Sequence, residues 1–249
     1  MKLTGRTILI TGGSAGIGLA FALKFAELGN EVIVTGRRQR VLDELKAKHP
    51  NLHAIQSDVA DPAQIAALAR NIKDDYPKLD VLMNNAGIML HKNLKVPAPD
   101  LDGLIAEVNI NVAGVMRMSS AFIDILTANK GTIINVSSGL AFVPLPSAPI
   151  YSATKAAVHA YTQYGVEVVE LMPPVVKTDL SAEMSEGDGV AVITTDELVK
   201  QSFASLKAGA LEIRPRQAKQ LAFMRRIAPN FINRQLWKAS KKLVPVEVR

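Results

Sequence analysis

The sequence predicts an α/β fold: a doubly wound, mostly parallel sheet in one domain, residues 1–214, followed by a basic helical extension, residues 215–249. Three observations predict it. Short runs rich in Val, Ile and Leu alternate with helical stretches from the first residues onward. The runs are continuously apolar instead of alternating, as strands covered on both faces are. A glycine-rich turn joins the first run to the first helix, at the strand ends where an open parallel sheet takes its ligand.

In order, "TILI" (7–10) is the first strand and 17–28 the first helix, then "EVIVT" (31–35) and a helix over 39–48. "LHAIQ" (52–56) precedes a helix over 62–75, which Asp61 caps and Pro62 opens at its first turn. "LDVLM" (79–83) leads to a helical segment over 101–128, and "GTIINVS" (131–137) to one over 151–164. "VEVVEL" (166–171) is a sixth strand, and "ALEIR" (210–214) closes one edge of the sheet.

Bulk properties narrow the function. The 249 residues are 48% hydrophobic and 21% charged, enough for a sizeable core, and contain no cysteine. Disulfides, thiolate chemistry and Cys-based zinc sites are excluded, and a reducing, cytoplasmic setting is expected. The opening "MKLTGRTILITGG" has too short an apolar run for a signal peptide, and no stretch approaches the ~18 apolar residues of a membrane span. His49, His53, His91 and His159 show no ligand spacing, so no metal is expected. The net charge of +6 is uneven: Lys207 to Arg249 holds eleven Lys or Arg against two Glu, and the preceding 206 residues sum to −3. The basic tail matches no nucleic-acid motif.

"TGGSAGIG" (11–18) sets glycines at 12, 16 and 18, allowing a tight turn and close approach of backbone to a pyrophosphate at the positive end of the first helix. It lacks the Gly-Lys-Ser/Thr ending of a P-loop, which argues against phosphoryl transfer. The second strand ends "VTGRRQR" (34–40), with Arg37 and Arg38 where NAD sites put a carboxylate for the ribose. Two guanidiniums suit a 2′-phosphate, so NADP(H) is expected over NAD(H).

The chain resembles the short-chain dehydrogenases/reductases from about Gly5 to Leu180, on five ordered motifs: "TGGSAGIG", "NNAG" (84–87), "NVAG" (111–114), "SSG" (137–139) and "YSATK" (151–155). The resemblance implies a Rossmann-type sheet and hydride transfer between a nicotinamide and an alcohol or carbonyl. It implies that Tyr151 is the general acid/base with Lys155 as its partner, that Ser138 rather than Ser137 hydrogen-bonds the substrate oxygen, and that Asn111 anchors a water in a proton relay. For the cofactor it implies Gly12, Ser14, Gly16, Ile17 and Gly18 at the pyrophosphate turn, Asp58 and Val59 beside the adenine, and Asn85, Ala86 and Gly87 along the adenosine. Val176 and Thr178, in "PPVVKT" (173–178), together with Tyr151 and Lys155, fall at the nicotinamide end. A homodimer is also implied.

Physics supports the central pair. Tyr151 and Lys155 lie one helical turn apart on one face. A free tyrosine has a pKa near ~10, and a neighbouring ammonium is expected to lower it.

Two departures stand out. After "YSATKAAVHAYTQ" the chain passes through "YG" (164–165) straight into "VEVVEL", so the crossover beyond Gln163 is short by roughly nine or ten residues against the family pattern. "PP" (173–174) also replaces Pro-Gly. In the tail, Leu221, Met224, Ile227, Phe231, Ile232, Leu236 and Trp237 form apolar stripes interrupted at Pro229. Two basic amphipathic helices there could cover the sheet edge, contact another subunit or rest on an anionic membrane, with packing favoured over membrane contact. Met89, Leu90, Leu140, Phe142, Val143 and Leu145 are expected to wall the substrate pocket, and residues 181–195 to form a lid ended by a Thr194/Glu197 capping box. The apolar wall points to a hydrophobic carbonyl or secondary alcohol. The alternative is a nucleotide-binding regulator or scaffold of the same fold with little turnover.

Overall fold

A computed structural model describes residues 1–91, 103, 105–162, 167–182, 192–215 and 217–243. The crossover residues just past Thr162 and most of the expected lid lie outside them.

Seven parallel strands form one sheet in the order β3-β2-β1-β4-β5-β6-β7. They are β1 (Thr7–Thr11), β2 (Glu31–Gly36), β3 (Leu52–Gln56), β4 (Leu79–Asn84), β5 (Thr132–Val136), β6 (Val168–Leu171) and the two-residue edge strand β7 (Glu212–Ile213). The order reverses at β1, whose neighbours are β2 and β4. A crevice opens at such a reversal, beyond the carboxyl ends of the strands, because successive crossovers leave on opposite faces of the sheet.

Helices α1 (Gly16–Glu27), α2 (Gln39–Lys48) and α3 (Pro62–Asp75) follow the first three strands. Asp61 caps α3 as the sequence predicts, its carboxylate accepting the amides of Ala63 at 2.8 Å and Gln64 at 3.3 Å. After β4, a helical turn (Ala106–Val108) passes through a wider π turn (Asn109–Ala113) into α4 (Gly114–Ala128). This continuous stretch, Ala106–Ala128, is long and apolar enough by composition to cross a membrane. Its apolar row at i, i+4 and i+8, Met118, Phe122 and Leu126, is instead buried against Leu9, Leu82 and Ile133 of the sheet. One face of the sheet supplies that requirement for apolar contact.

The other face packs on α1 and α6 (Thr195–Lys207), where Phe21, Phe25 and Phe203 cluster and the Phe25 and Phe203 ring centroids lie 4.7 Å apart. The capping box forms as read: Thr194 Oγ1 accepts the Glu197 amide and Glu197 Oε2 accepts the Thr194 amide, both at 3.1 Å. Helix α5 (Pro149–Thr162) follows β5, and β6 lies parallel to β5. The tail forms α7 (Gln217–Ile227) and α8 (Pro229–Leu243), separated where Pro229 cannot continue the first helix.

Candidate active site

The crevice at the strand ends is a cleft of about 690 Å³, and the glycine turn forms one end of it. Gly12 has φ +64°, and a Cβ there would lie 2.9 Å from the Ala86 Cα. Gly16 has φ +53° and faces Thr178. Both positions therefore need glycine, and they leave backbone lining the cleft. Residue Ala15 starts α1 without any side-chain cap, so the first amides of that helix keep their capacity for an anion. Gly18 does not line the cleft: a Cβ there would meet Asn85 Nδ2 at 2.4 Å, so this glycine serves close packing under the turn.

Thr11, which the motif reading passed over, locks the turn to the next strand. Its Oγ1 accepts the amides of Asn85 and Ala86, each at 3.0 Å, while Asn85 Nδ2 donates to the Thr11 and Gly12 carbonyls. Asn85 thus fixes the shape of the turn and also lines the cleft. Ser14, Ile17, Asp58, Val59, Ala86, Gly87, Val176 and Thr178 all line the cleft. Arg37 and Arg38 line its outer end, with Arg37 Nη1 3.9 Å from Asp58 Oδ2. Uncapped helix, glycine cradle and the guanidiniums of Arg37 and Arg38 fit a dinucleotide in shape and charge.

The candidate catalytic groups sit beyond the end of β5. Ser138, in extended backbone, starts a 3₁₀ turn, and its Oγ accepts the Leu140 amide at 3.1 Å. The Tyr151 hydroxyl is hydrogen-bonded to the Ser138 hydroxyl, and both residues are buried. Lys155, only 4% exposed, donates from Nζ to the Val136 carbonyl at 2.8 Å and stands 5.5 Å from the centroid of the Tyr151 ring. Burial pushes the Lys155 ammonium down to about 8. It pushes the Tyr151 phenol up to about 12, against the hydrogen bond from Ser138 and with the charge of Glu107 adding to the rise.

This corrects the sequence expectation that Lys155 makes the phenol easier to ionise. Spacing on the helix is right, but in the protein alone desolvation of the phenolate outweighs the Ser138 hydrogen bond, while the Lys155 ammonium is tied to a strand carbonyl. Tyr151 is protonated throughout the physiological range.

Asn111 lies in the π turn, fully buried, and does not line the cleft. Its Oδ1 accepts the Ile88 amide at 2.9 Å, and its Nδ2 donates to the Ile88 carbonyl at 2.9 Å and Thr154 Oγ1 at 3.0 Å. Most of its hydrogen-bonding capacity is spent joining the loop after β4 to α5. Glu107, 0% exposed and one helical turn before Asn111, accepts the Leu90 amide at 3.0 Å. The pair clamps the Ile88–Leu90 loop, and the i, i+4 spacing was the signal that could have found Glu107. Replacing Glu107 with Gln removes its charge, so the Tyr151 phenol should ionise at lower pH than in the parent. Ultraviolet difference titration of the phenolate checks the direction.

A second buried carboxylate also escaped the sequence reading. Glu170 on β6 binds the Ser137 hydroxyl and meets His159 Nδ1 at 2.8 Å. Ser137 is thereby committed to the sheet, which leaves Ser138 as the serine beside Tyr151. His159 packs edge-on to Phe142 at 5.0 Å and does not line the cleft.

Of the expected pocket wall, Met89, Leu140 and Leu145 line the cleft. Val143 is fully buried in a small core beside it, Phe142 lies between His159 and Arg214, and Leu90 contributes its amide to Glu107. The other apolar wall is the tail: Leu221 and Met224 from α7, Ile232 and Leu236 from α8.

The sequence model of the short chain dehydrogenase family matches residues 6–189. This chain belongs to the short-chain dehydrogenase family. Its sequence is 41% identical over 226 residues to the uncharacterized oxidoreductase DltE of Bacillus subtilis, covering 86% of this chain and 89% of that protein. A short-chain dehydrogenase of Burkholderia cenocepacia in complex with NADP superposes with a TM-score of 0.81 at 27% identity, covering 95% of this chain and 99% of that one. Another from Burkholderia phymatum, in complex with NAD, gives a TM-score of 0.76 at 22% identity over 93% and 96% of the two chains, a likeness of fold alone. As in the short-chain dehydrogenase fold, the sheet here is single, parallel and flanked by helices, and the chain is an oxidoreductase of that family.

Proposed function

We propose that the protein is an NADP(H)-dependent carbonyl reductase or alcohol dehydrogenase acting on hydrophobic substrates, with Tyr151 as the general acid/base. One observation carries the reading: the hydrogen-bonded Tyr151 and Ser138 hydroxyls sit in the same cleft as the glycine turn and the two arginines, beside an apolar wall.

Bound NADP(H) supplies or accepts the hydride. The rest is done by the chain. A protonated Tyr151 can deliver its proton to a carbonyl oxygen in reduction, and Ser138 holds that oxygen as negative charge develops on it. Lys155 sets a positive charge next to the ring, and at neutral pH a group near 8 remains mostly protonated. Asn111 and Glu107 keep the loop carrying Met89 in place. Met89, Leu140, Leu145 and the tail residues exclude water and favour a substrate without charge near its carbonyl.

Preference for NADP(H) rests on Arg37 and Arg38 and on the NADP bound by the Burkholderia cenocepacia relative. Arg37→Ala/Arg38→Ala should weaken NADPH binding by about tenfold or more and leave NADH nearly unchanged. Fluorescence titration with each cofactor measures the ratio; an unchanged ratio removes the preference. A cytoplasmic homodimer is part of the same reading, and Val108 and Met116, apolar yet exposed along the segment running into α4, offer a surface for it.

A further inference from the structure

Helices α7 and α8 use one side each to wall the cleft, through Leu221, Met224, Ile232 and Leu236. Their other sides carry large apolar groups in solvent: Phe223 is 60% exposed, Ile227 59%, Phe231 55% and Trp237 45%. Interleaved with them are Lys219, Arg225, Arg226, Arg234 and Lys238, all exposed. Between Gln217 and Lys238 there is no Asp or Glu. On α8, Arg234 points directly away from the Ile232/Leu236 side, and Phe231 and Trp237 flank it at about 60° on either hand by helical geometry. On α7, Arg226 and Lys219 take the corresponding outward position, with Phe223 beside them.

We propose that the outward faces of α7 and α8 dock on an anionic phospholipid bilayer. Aromatic and aliphatic side chains inserted at the level of the acyl boundary, ringed by Lys and Arg at the headgroups, are the arrangement by which amphipathic helices lie in such a surface. A second copy of the chain is a poorer occupant. A two-fold interface here would set the same basic residues against one another with no acid on either helix to offset them. Nucleic acid would satisfy the charges and leave Phe223, Ile227 and Phe231 stranded at a phosphate backbone. Because the inner residues of the same two helices wall the cleft, docking places the cleft about one helix diameter, ~10 Å, from the lipid. The docking itself does not depend on which cofactor or carbonyl the cleft takes.

Vesicle flotation tests it with the full chain. Vesicles of phosphatidylcholine alone and with about one third phosphatidylglycerol are compared in about 0.1 M and about 1 M salt. The bound fraction should be at least about tenfold higher on the anionic vesicles and fall in high salt. Phe223→Ser/Phe231→Ser and, separately, Arg225→Glu/Arg226→Glu should each abolish it while leaving the melting temperature and NADPH binding as in the parent. The proposal is overturned if the parent protein stays with neither vesicle, if both variants float as the parent does, or if the same substitutions turn a dimer into a monomer by light scattering. Salt-sensitive binding to duplex DNA with no vesicle binding would equally overturn it.

Discussion

Tyr151→Phe is expected to lower kcat by about 10²–10⁴-fold with little change in NADPH affinity, because the substitution removes a proton donor and almost nothing else. A phenyl ring fills the same buried volume, and Ser138 Oγ retains the Leu140 amide that orients it. If Tyr151 were merely a packed side chain of α5, loss of one hydroxyl would cost some stability and leave turnover near the parent's. Steady-state rates with NADPH and a hydrophobic ketone, alongside cofactor titration of the variant, separate the two. Retained turnover would reject Tyr151 as the acid.

The second large effect concerns Lys155, where activity and stability should move in opposite directions. Its ammonium, ordinarily near 10.5, is held down to about 8 by burial, so in the folded protein it carries a charge that the site does not favour. A difference of that size corresponds to about 3 kcal/mol against folding at neutral pH. A methionine of similar length removes this cost but leaves the Val136 carbonyl without its partner, a loss of about 1–3 kcal/mol. Lys155→Met should therefore be as stable as the parent or more so, by up to about 2 kcal/mol at pH 7, while losing most of its turnover.

The pH dependence gives a sign to check. With its folded pKa depressed, Lys155 destabilises the fold fully below about pH 8, and the cost disappears as pH rises from there toward 10.5. The advantage of the methionine variant should shrink over the same interval. Tyr151, pushed up to about 12, acts oppositely and begins to draw on stability above pH 10. Urea unfolding of parent and variant at pH 7 and pH 10 measures the difference. A variant clearly less stable than the parent at pH 7 would show that Lys155 is held by attractive partners that outweigh its burial.

Most of the frame was legible in the sequence because it depends on local patterns. Continuous apolar runs such as "EVIVT" marked β2, Asp61-Pro62 marked the start of α3, and Thr194 with Glu197 marked the start of α6. Gly12 and Gly16 were recognisable because positive φ and close approach restrict the residue type whatever the rest of the chain does. Polar partners were less legible. That Ser137 belongs to Glu170 and Asn111 to Ile88 depends on which strand lies beside β5 and how the loop after β4 folds back, information carried by no single segment. The tail shows the same limit. Its apolar stripes could be read, but whether Leu221 and Leu236 met the sheet, another subunit or the cleft required the packed protein. The phenol's ionisation was misjudged for a related reason: spacing fixes neighbours along a helix, whereas desolvation depends on everything around it.

Hydride transfer itself is most directly followed with NADPH carrying deuterium at C4, prepared separately in each of the two stereochemical forms, and a hydrophobic ketone. Mass spectrometry of the alcohol should find one deuterium on the carbinol carbon from one of the two labelled forms, and labelled alcohol accumulating about 10²–10⁴-fold more slowly when Tyr151 is replaced by Phe. Alcohol formed without label from either form, or a cofactor that stays reduced across aldehydes and ketones that fill the apolar cleft, would contradict the account.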